Sequence, residues 1–149
     1  MENQIKPKPG VGFGIMLMKD GKVLLGKRHD DPEKASSLLH GEGTWTMPGG
    51  KLHFQENIKE GAARETLEET GIRVNNLEMI SISNDIVPDN HFVTCGFLCT
   101  DFDGEAKVME PDEITKWEWF DINNLPSPIF PPSGKIVKNY LDKIFYQDK

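Results

Sequence analysis

The sequence predicts an α/β fold in which a mixed β-sheet lies between helices, and three observations predict it. Strand-length apolar runs stand on both sides of one long helix-forming stretch, so the order reads strands, helix, strands, helix. Residues 57–70 form that stretch, with Ala62, Ala63, Arg64, Glu65, Leu67, Glu68 and Glu69 in it and a glycine directly after it. Near the C-terminus Ile136, Val137, Tyr140, Leu141, Ile144 and Phe145 recur at helical spacing. No internal repeat or linker interrupts the 149 residues, so a single domain over 1–149 is expected.

Taken in order, Gly10–Met18 is an apolar run, Asp20-Gly21 is a turn pair, and Lys22–Arg28 is a second run; together they predict a hairpin. Residues 29–43 are polar and carry Pro32, Ser36, Ser37, Gly41 and Gly43, which predicts a loop that Leu38 and Leu39 could dock. Thr44–Met47 reads as a short strand closed by Pro48-Gly49-Gly50. The helix Asn57–Thr70 ends on Gly71, and further strands follow at Leu77–Ser83, Phe92–Thr100 and Ile114–Phe120. Residues 84–90 and 101–105 are turn-rich. Residues 121–125 predict a short helical turn, and the four prolines within 126–134 predict a loop before the terminal helix.

Composition excludes several function classes. The hydrophobic fraction is 37%, and no apolar run approaches the ~20 residues that cross a bilayer. Met1–Pro9 lacks the apolar segment of a secretory signal, so a soluble, cytoplasmic protein without a membrane partner is expected. A net charge of −7 opposes binding to duplex nucleic acid and means that a phosphorylated ligand would need metal ions or local cations. Cys95 and Cys99, four residues apart in a strand, are about 13 Å apart, too far for a disulfide, and form no zinc set; buried reduced thiols are expected.

The chemistry concentrates on the first helix. At about 100° per residue, Glu65, Glu68 and Glu69 fall within one arc of roughly 100°, while Ala63 and Leu67 lie opposite and are expected to pack on the sheet. Like charges at (i, i+4) destabilise a helix by a few tenths of a kcal/mol, and a hard divalent cation such as Mg²⁺ would compensate. A solvated acidic face is the alternative reading of the same run. Gly49-Gly50 before the helix, Glu56 near its start and Arg64 beside the stripe favour the metal site, with Arg64 placed to orient a carboxylate.

Gly50, Glu56, Arg64, Glu65, Glu68, Glu69, Gly71 and Ile72 together resemble the Nudix box at its full spacing, with Thr66 at a position usually aliphatic. Leu24–Arg28, Trp45–Gly50, Trp117–Phe120 with Leu125-Pro126, and Met109-Glu110-Pro111 also look like landmarks of that family, in its MutT-like branch. The resemblance implies a Nudix α/β/α sandwich with a mixed β-sheet between helices. It implies hydrolysis of a phosphoanhydride in a nucleoside di- or triphosphate, with oxidised or non-standard nucleotides included. Cleavage of ADP-ribose or a nucleotide sugar is the alternative, and a catalytically silent nucleotide-binding module is a third.

Carried onto this chain, the resemblance makes Glu65, Glu68 and Glu69 catalytic and ligands of Mg²⁺, with Mn²⁺ as a substitute. The carbonyl of Gly50 joins them, with Glu110 the first candidate to complete the site and Glu113 the second. Glu65 is the first choice as proton acceptor. Glu56, Arg64 and Gly71 hold the motif together, the first two as a salt bridge. Lys27, Arg28 and Lys51 are candidates to meet phosphates, with Arg28 foremost. Phe13, Phe92, Trp117, Trp119 and Phe130 are candidates to stack on a base, with Phe130 in the proline-rich loop foremost. The implied partner is a small nucleotide, and relatives allow a homodimer.

Other signals carry less. Gly10, Gly12 and Gly14 lack the spacing and strand-to-helix setting of a dinucleotide loop and read as strand glycines. Asp101, Asp103 and Gly104 lack calcium-loop spacing. His29, His40, His53 and His91 form no spaced cluster and are expected to face solvent or be satisfied locally.

Overall fold

The computed structural model describes residues 6–35 and 39–147; Leu38, expected to dock the first loop, lies outside them. Within these residues the elements run β1 (Gly10–Lys19), β2 (Lys22–Arg28), β3 (Trp45–Thr46), β4 (Gly49–Lys51), α1 (Ile58–Thr70), β5 (Arg73–Val74), β6 (Glu78–Val87), β7 (Asn90–Cys99), β8 (Phe102–Asp103), β9 (Ile114–Asp121) and α2 (Pro131–Asp142). Among them, seven strands form one mixed sheet. Its main path is β3-β2-β1-β7-β6, with β4 added to β1 and β9 to β2. β1 and β7 run parallel, and the other pairings in this sheet are antiparallel.

β1 is buried on both sides, which explains why it reads as a continuous apolar run without alternation. Phe13, Ile15 and Leu17 point towards α1 and share a core with Ala62, Ile72, Cys95, Phe97 and Cys99. Met16 points the other way, into a second core with Val23, Leu25, Trp45, Met47, Ile136 and Val137. The result is the α/β/α layering expected. α2 seats on the second face through Ile136: a Cβ on Gly14 or Gly96, which pair across β1 and β7, would stand 2.4 and 2.7 Å from its side chain. The two cysteines are free and buried, and burial raises both thiol pKa values.

Several expectations need correction. Ala63 and Leu67 do not face the sheet; Leu67 is 37% exposed, and α1 buries Gly61, Ala62, Thr66 and Thr70. Thr66 and Thr70 fit the core because their hydroxyls bond back to the carbonyls of Ala62 and Thr66, at 2.9 and 2.6 Å, leaving the methyls to pack. Residues 84–87, expected in a turn, belong to β6. The hairpin to β7 turns on Pro88-Asp89 alone, with Val87 paired to Asn90. Pro131–Gly134, expected in a loop, form the first turn of α2, where a proline loses no hydrogen bond because the first amides of a helix have no partner. The helix stops at Asp142, with Lys143 left-handed, so Ile144 and Phe145 lie beyond it and Leu141 is exposed. Residues 101–105 include the short strand β8, paired with β5. Residues 121–125 make a turn held by the Asp121 carboxylate rather than a helical one.

Two glycines separate backbone strain from overlap. Gly71 ends α1 at φ 78°, and an added Cβ there would meet only Met109 Sδ at 3.9 Å, an ordinary contact, so Gly71→Ala should cost about 1–2 kcal/mol through conformation alone. A Cβ on Gly49 would stand 2.0 Å from the Phe13 carbonyl oxygen, so Gly49→Ala should cost about 3 kcal/mol or more. Urea unfolding of both variants checks the order; equal losses would contradict it.

Candidate active site

The site begins where β4 meets α1. A Cβ on Gly50 would lie 2.2 Å from the Glu65 carboxyl carbon, so the missing side chain is what lets that carboxylate rest on the strand. Gly49 donates its N–H to Glu69 Oε1 at 3.2 Å. Gly61, on the opposing helix face, gives the same kind of room: a Cβ there would stand 2.7 Å from Glu56 Oε1. Backbone-only residues therefore bring strand and acidic helix into contact.

Arg64 organises the carboxylates. Its Nε donates to Glu56 Oε2 at 2.7 Å, one terminal nitrogen to Glu65 Oε1 at 2.9 Å and to Glu68 at 3.3 Å, and the other to the Lys51 carbonyl at 3.1 Å. Glu56 also accepts the His53 N–H at 3.0 Å. These bonds, the Arg64 one foremost, hold the Glu56 pKa down to about 2, and Glu56 in turn raises that of Arg64. The expected structural salt bridge is therefore present.

The remaining carboxylates are electrically uncomfortable. Burial pushes Glu65 upward against the pull of Arg64, with Glu68 adding repulsion. Glu69 is raised well above the usual carboxylate range by burial, and Glu65, Glu110 and Glu113 push the same way. Glu110 is raised by burial and then by Glu113, Glu65 and Glu68. Both later-loop candidates thus stand in the field of the helix stripe. They share a turn in which the amides of Glu113 and Ile114 bond the Glu110 carbonyl, and the Glu113 carbonyl ties it to His29. Among the described residues no three His, Cys, Asp or Glu groups stand close enough to hold a metal in this arrangement, where Arg64 occupies Glu65 and Glu68. The donor chemistry nevertheless fits a hard divalent cation: it is all oxygen and mutually repelling, with Glu65 and Glu69 partly withdrawn from water and Glu68, Glu110 and Glu113 exposed.

Of these carboxylates Glu69 and Glu113, with Gly49 and Gly50, line a cavity of about 380 Å³, whereas Glu65, Glu68 and Glu110 do not. Gly12 and Gly14 and the rings of Phe13, Phe92 and Phe130 line it as well. Arg28 lines it too, lying 5.4 Å from the Phe130 ring centre and donating to the Ala35 carbonyl at 2.7 Å, while its Nε is buried without a hydrogen-bond partner among the described residues. Burial lowers the Arg28 pKa, against the pull of Glu113, Glu69 and Glu42. Lys51 lines the cavity 5.9 Å from the Phe92 ring centre.

Other candidates fall elsewhere. Lys27 is held by the Gly43 carbonyl at 2.8 Å and does not line the cavity, and neither do Trp117 and Trp119. Trp119 stacks on Phe102, with ring centres 5.9 Å apart. Asp101 and Asp103 accept from the Asn75 amide. His40 is satisfied by a distant partner, Asp89, rather than a local one. The sequence reading missed Thr94, Ser133 and Ile136 as cavity residues; the alternation of Gly12 and Gly14 on one strand face was the available signal.

The carboxylate shifts fix a pH dependence. A raised folded-state pKa means that Glu65 and Glu69 stabilise the fold below about pH 4.5 and lose that contribution as pH rises through the folded value. In EDTA, Glu69→Gln should therefore raise the melting temperature at pH 7.5, with the gain shrinking towards pH 4. A Tm unchanged or lowered at pH 7.5 would contradict the burial of charge.

Comparison with known proteins agrees with this geometry. The NUDIX domain model matches residues 8–140. An ADP-ribose pyrophosphatase of Methanocaldococcus jannaschii is 34% identical over 135 residues, covering 89% of this chain and 73% of that protein. The NAD-capped RNA hydrolase NudC of Salmonella agona is 27% identical over 116 residues, 78% of this chain but 43% of its own length. The crystal structure of a MutT NUDIX hydrolase from Burkholderia pseudomallei superposes with a TM-score of 0.79 at 30% identity, covering 89% of this chain and 98% of that one. A MutT protein from Methanosarcina mazei, at 22% identity and a TM-score of 0.75, shares the fold. A box on strand and helix, a MutT-like sandwich and a family match across nearly the whole chain place this protein in the Nudix family, as a pyrophosphohydrolase.

Proposed function

We propose that this chain is a cytoplasmic, Mg²⁺-dependent hydrolase of the phosphoanhydride bond in nucleoside di- or triphosphates, including oxidised or non-standard ones. The observation that carries the reading is one cavity of about 380 Å³ whose lining includes both the carboxylates of Glu69 and Glu113 and the rings of Phe13, Phe92 and Phe130. That volume sits low in the roughly 300–1,000 Å³ range of ligand sites and suits a single nucleoside. A polyanionic tail directed at Glu69 and Glu113 would meet unneutralised carboxylates, which is where a cation belongs.

Glu65, Glu68, Glu69 and the Gly50 carbonyl would hold the metal, with Glu110 completing the set and Glu113 its alternative. When bound, a divalent ion supplies charge neutralisation on phosphate oxygens and acidifies water; Mn²⁺ would serve as a substitute. The chain does the rest. Arg28 and Lys51 bind phosphate oxygens, and Phe130, with Arg28 beside it, gives the base a face to stack on. Glu65, its pKa raised by burial and its orientation fixed by Arg64, accepts the proton of the attacking water. Water oxygen bonds to phosphorus as the anhydride P–O bond breaks, and the leaving phosphate departs with the electron pair.

The M. jannaschii relative favours a second reading, cleavage of ADP-ribose or a nucleotide sugar, by the same carboxylates. A panel of nucleoside phosphates, ADP-ribose and nucleotide sugars with product identification separates the two. Release of phosphate or pyrophosphate from nucleotides supports the first; AMP from ADP-ribose alone supports the second. Binding without turnover supports a silent module.

Two further outcomes are expected. EDTA stops turnover and added Mg²⁺ restores it. Glu68→Gln with Glu69→Gln lowers kcat by about a thousandfold while the folded circular-dichroism spectrum is kept. A double variant retaining most of the wild-type rate contradicts the metal assignment.

A further inference from the structure

Thr46, Thr94 and Ser133 bring hydroxyls to the cavity lining; Thr46 and Ser133 are engaged with each other and with the Met47 backbone, whereas the hydroxyl of Thr94 has its polarity set by a carboxylate behind it. Thr94 on β7 is 4% exposed and lines the cavity, its Oγ1 lying 3.9 Å from where a Gly12 Cβ would stand. That Oγ1 donates to Asp85 Oδ2 at 2.6 Å. Asp85, on the edge strand β6, is 5% exposed; the same Oδ2 accepts the Ser83 hydroxyl at 2.8 Å, and Oδ1 accepts the Lys135 ammonium, also at 2.8 Å. A threonine hydroxyl has one proton and two lone pairs. With the proton committed to a carboxylate that is itself held by Lys135, Thr94 offers the cavity lone pairs alone.

We propose that Asp85 is a specificity-positioning residue that, through Thr94, makes the cavity select a nucleobase edge presenting an N–H donor. The inference rests on the proposed nucleotide substrate and adds the chemical property by which bases are sorted. A base turning an acceptor towards Thr94 would set lone pair against lone pair at a buried hydroxyl, which costs more than a bond merely absent. Lys135 gives the arrangement direction. If Asp85 became asparagine, its carbonyl would stay with the ammonium and its NH₂ would turn to Thr94. The hydroxyl would then accept from behind and point its proton into the cavity.

The test uses matched triphosphates differing in one donor: ATP against purine riboside triphosphate, GTP against ITP, and dGTP against its 8-oxo derivative, in which N7 changes from acceptor to donor. The wild type should favour the donor-bearing member of at least one pair by about tenfold in kcat/KM. Thr94→Val should bring that ratio near one, and Thr94→Ser should keep it. Asp85→Asn should lower it about tenfold or invert it, mainly through KM. Melting curves confirm that each variant folds, and should Asp85→Asn unfold, the two Thr94 variants decide alone. Ratios unmoved by Asp85→Asn and Thr94→Val, with robust wild-type turnover, overturn the inference and leave the proposed function standing. Absence of turnover on every nucleotide overturns both.

Discussion

The distance between the acidic helix and the sheet is set by residues that have no side chain. Gly49 lies so close to the Phe13 carbonyl, and Gly50 so close to the Glu65 carboxylate, that a methyl group on either would overlap its neighbour. Gly61 does the same for Glu56 from the helix side. Everything chemical depends on this approach, because it removes Glu65 and Glu69 from bulk water and turns a surface charge run into a partly desolvated one. The solvated acidic face, the alternative reading of these glutamates, describes Glu68, which stays exposed, but not Glu65 and Glu69, whose burial raises their pKa values.

Desolvated like charges need compensation, and the chain supplies only part of it. Arg64 spans Glu56, Glu65, Glu68 and the Lys51 carbonyl, so one guanidinium fixes the loop, the strand and two of the helix carboxylates together. Its planar fork makes this bracing directional in a way a lysine ammonium would not. Glu69 receives a single backbone N–H, and the charges of Glu110 and Glu113 act on it from the loop before β9. The protein therefore folds with an electrostatic deficit concentrated at these carboxylates. A family that uses divalent ions resolves such a deficit on loading.

Local spacing made part of this legible in the sequence. Glu65, Glu68 and Glu69 share a stripe because 3.6 residues make a turn, and Gly71 closes the helix because its φ is positive. The opposite face misled for a physical reason: hydropathy pointed to Leu67, whereas close packing against β1 required the smaller Ala62 and Thr66, whose hydroxyl is hidden by a bond to its own helix. The prolines at 131 and 132 misled because a breaker within a helix is a starter at its first turn. Asp85, Ser83, Thr94 and Lys135 were invisible for another reason. Their bonds cross from β6 to β7 and α2, and no spacing along the chain announces which side chains a hairpin register and a docked helix will bring together.

A chain of charge −7 acting on a polyanion must gain affinity somewhere other than its overall field. The geometry supplies two sources. At the carboxylates the deficit is cationic and indifferent to the base, since any phosphate chain presents the same oxygens. The cavity is lined by Gly12 and Gly14, by the rings of Phe13, Phe92 and Phe130, and by the hydroxyl-bearing Thr46, Thr94 and Ser133, so under the proposed function discrimination falls to shape, stacking and the direction of those few hydroxyls. The two regions share a boundary, because Gly49, Gly50 and Lys51 of β4 also line the cavity and Phe13 lies against Gly49 and Gly61, while β7 and α2 add Phe92, Thr94, Ser133 and Ile136. Under the proposed function the chemistry is held by the strand–helix contact, and the choice of substrate adds to that contact the side chains that β7 and α2 bring to the same cavity.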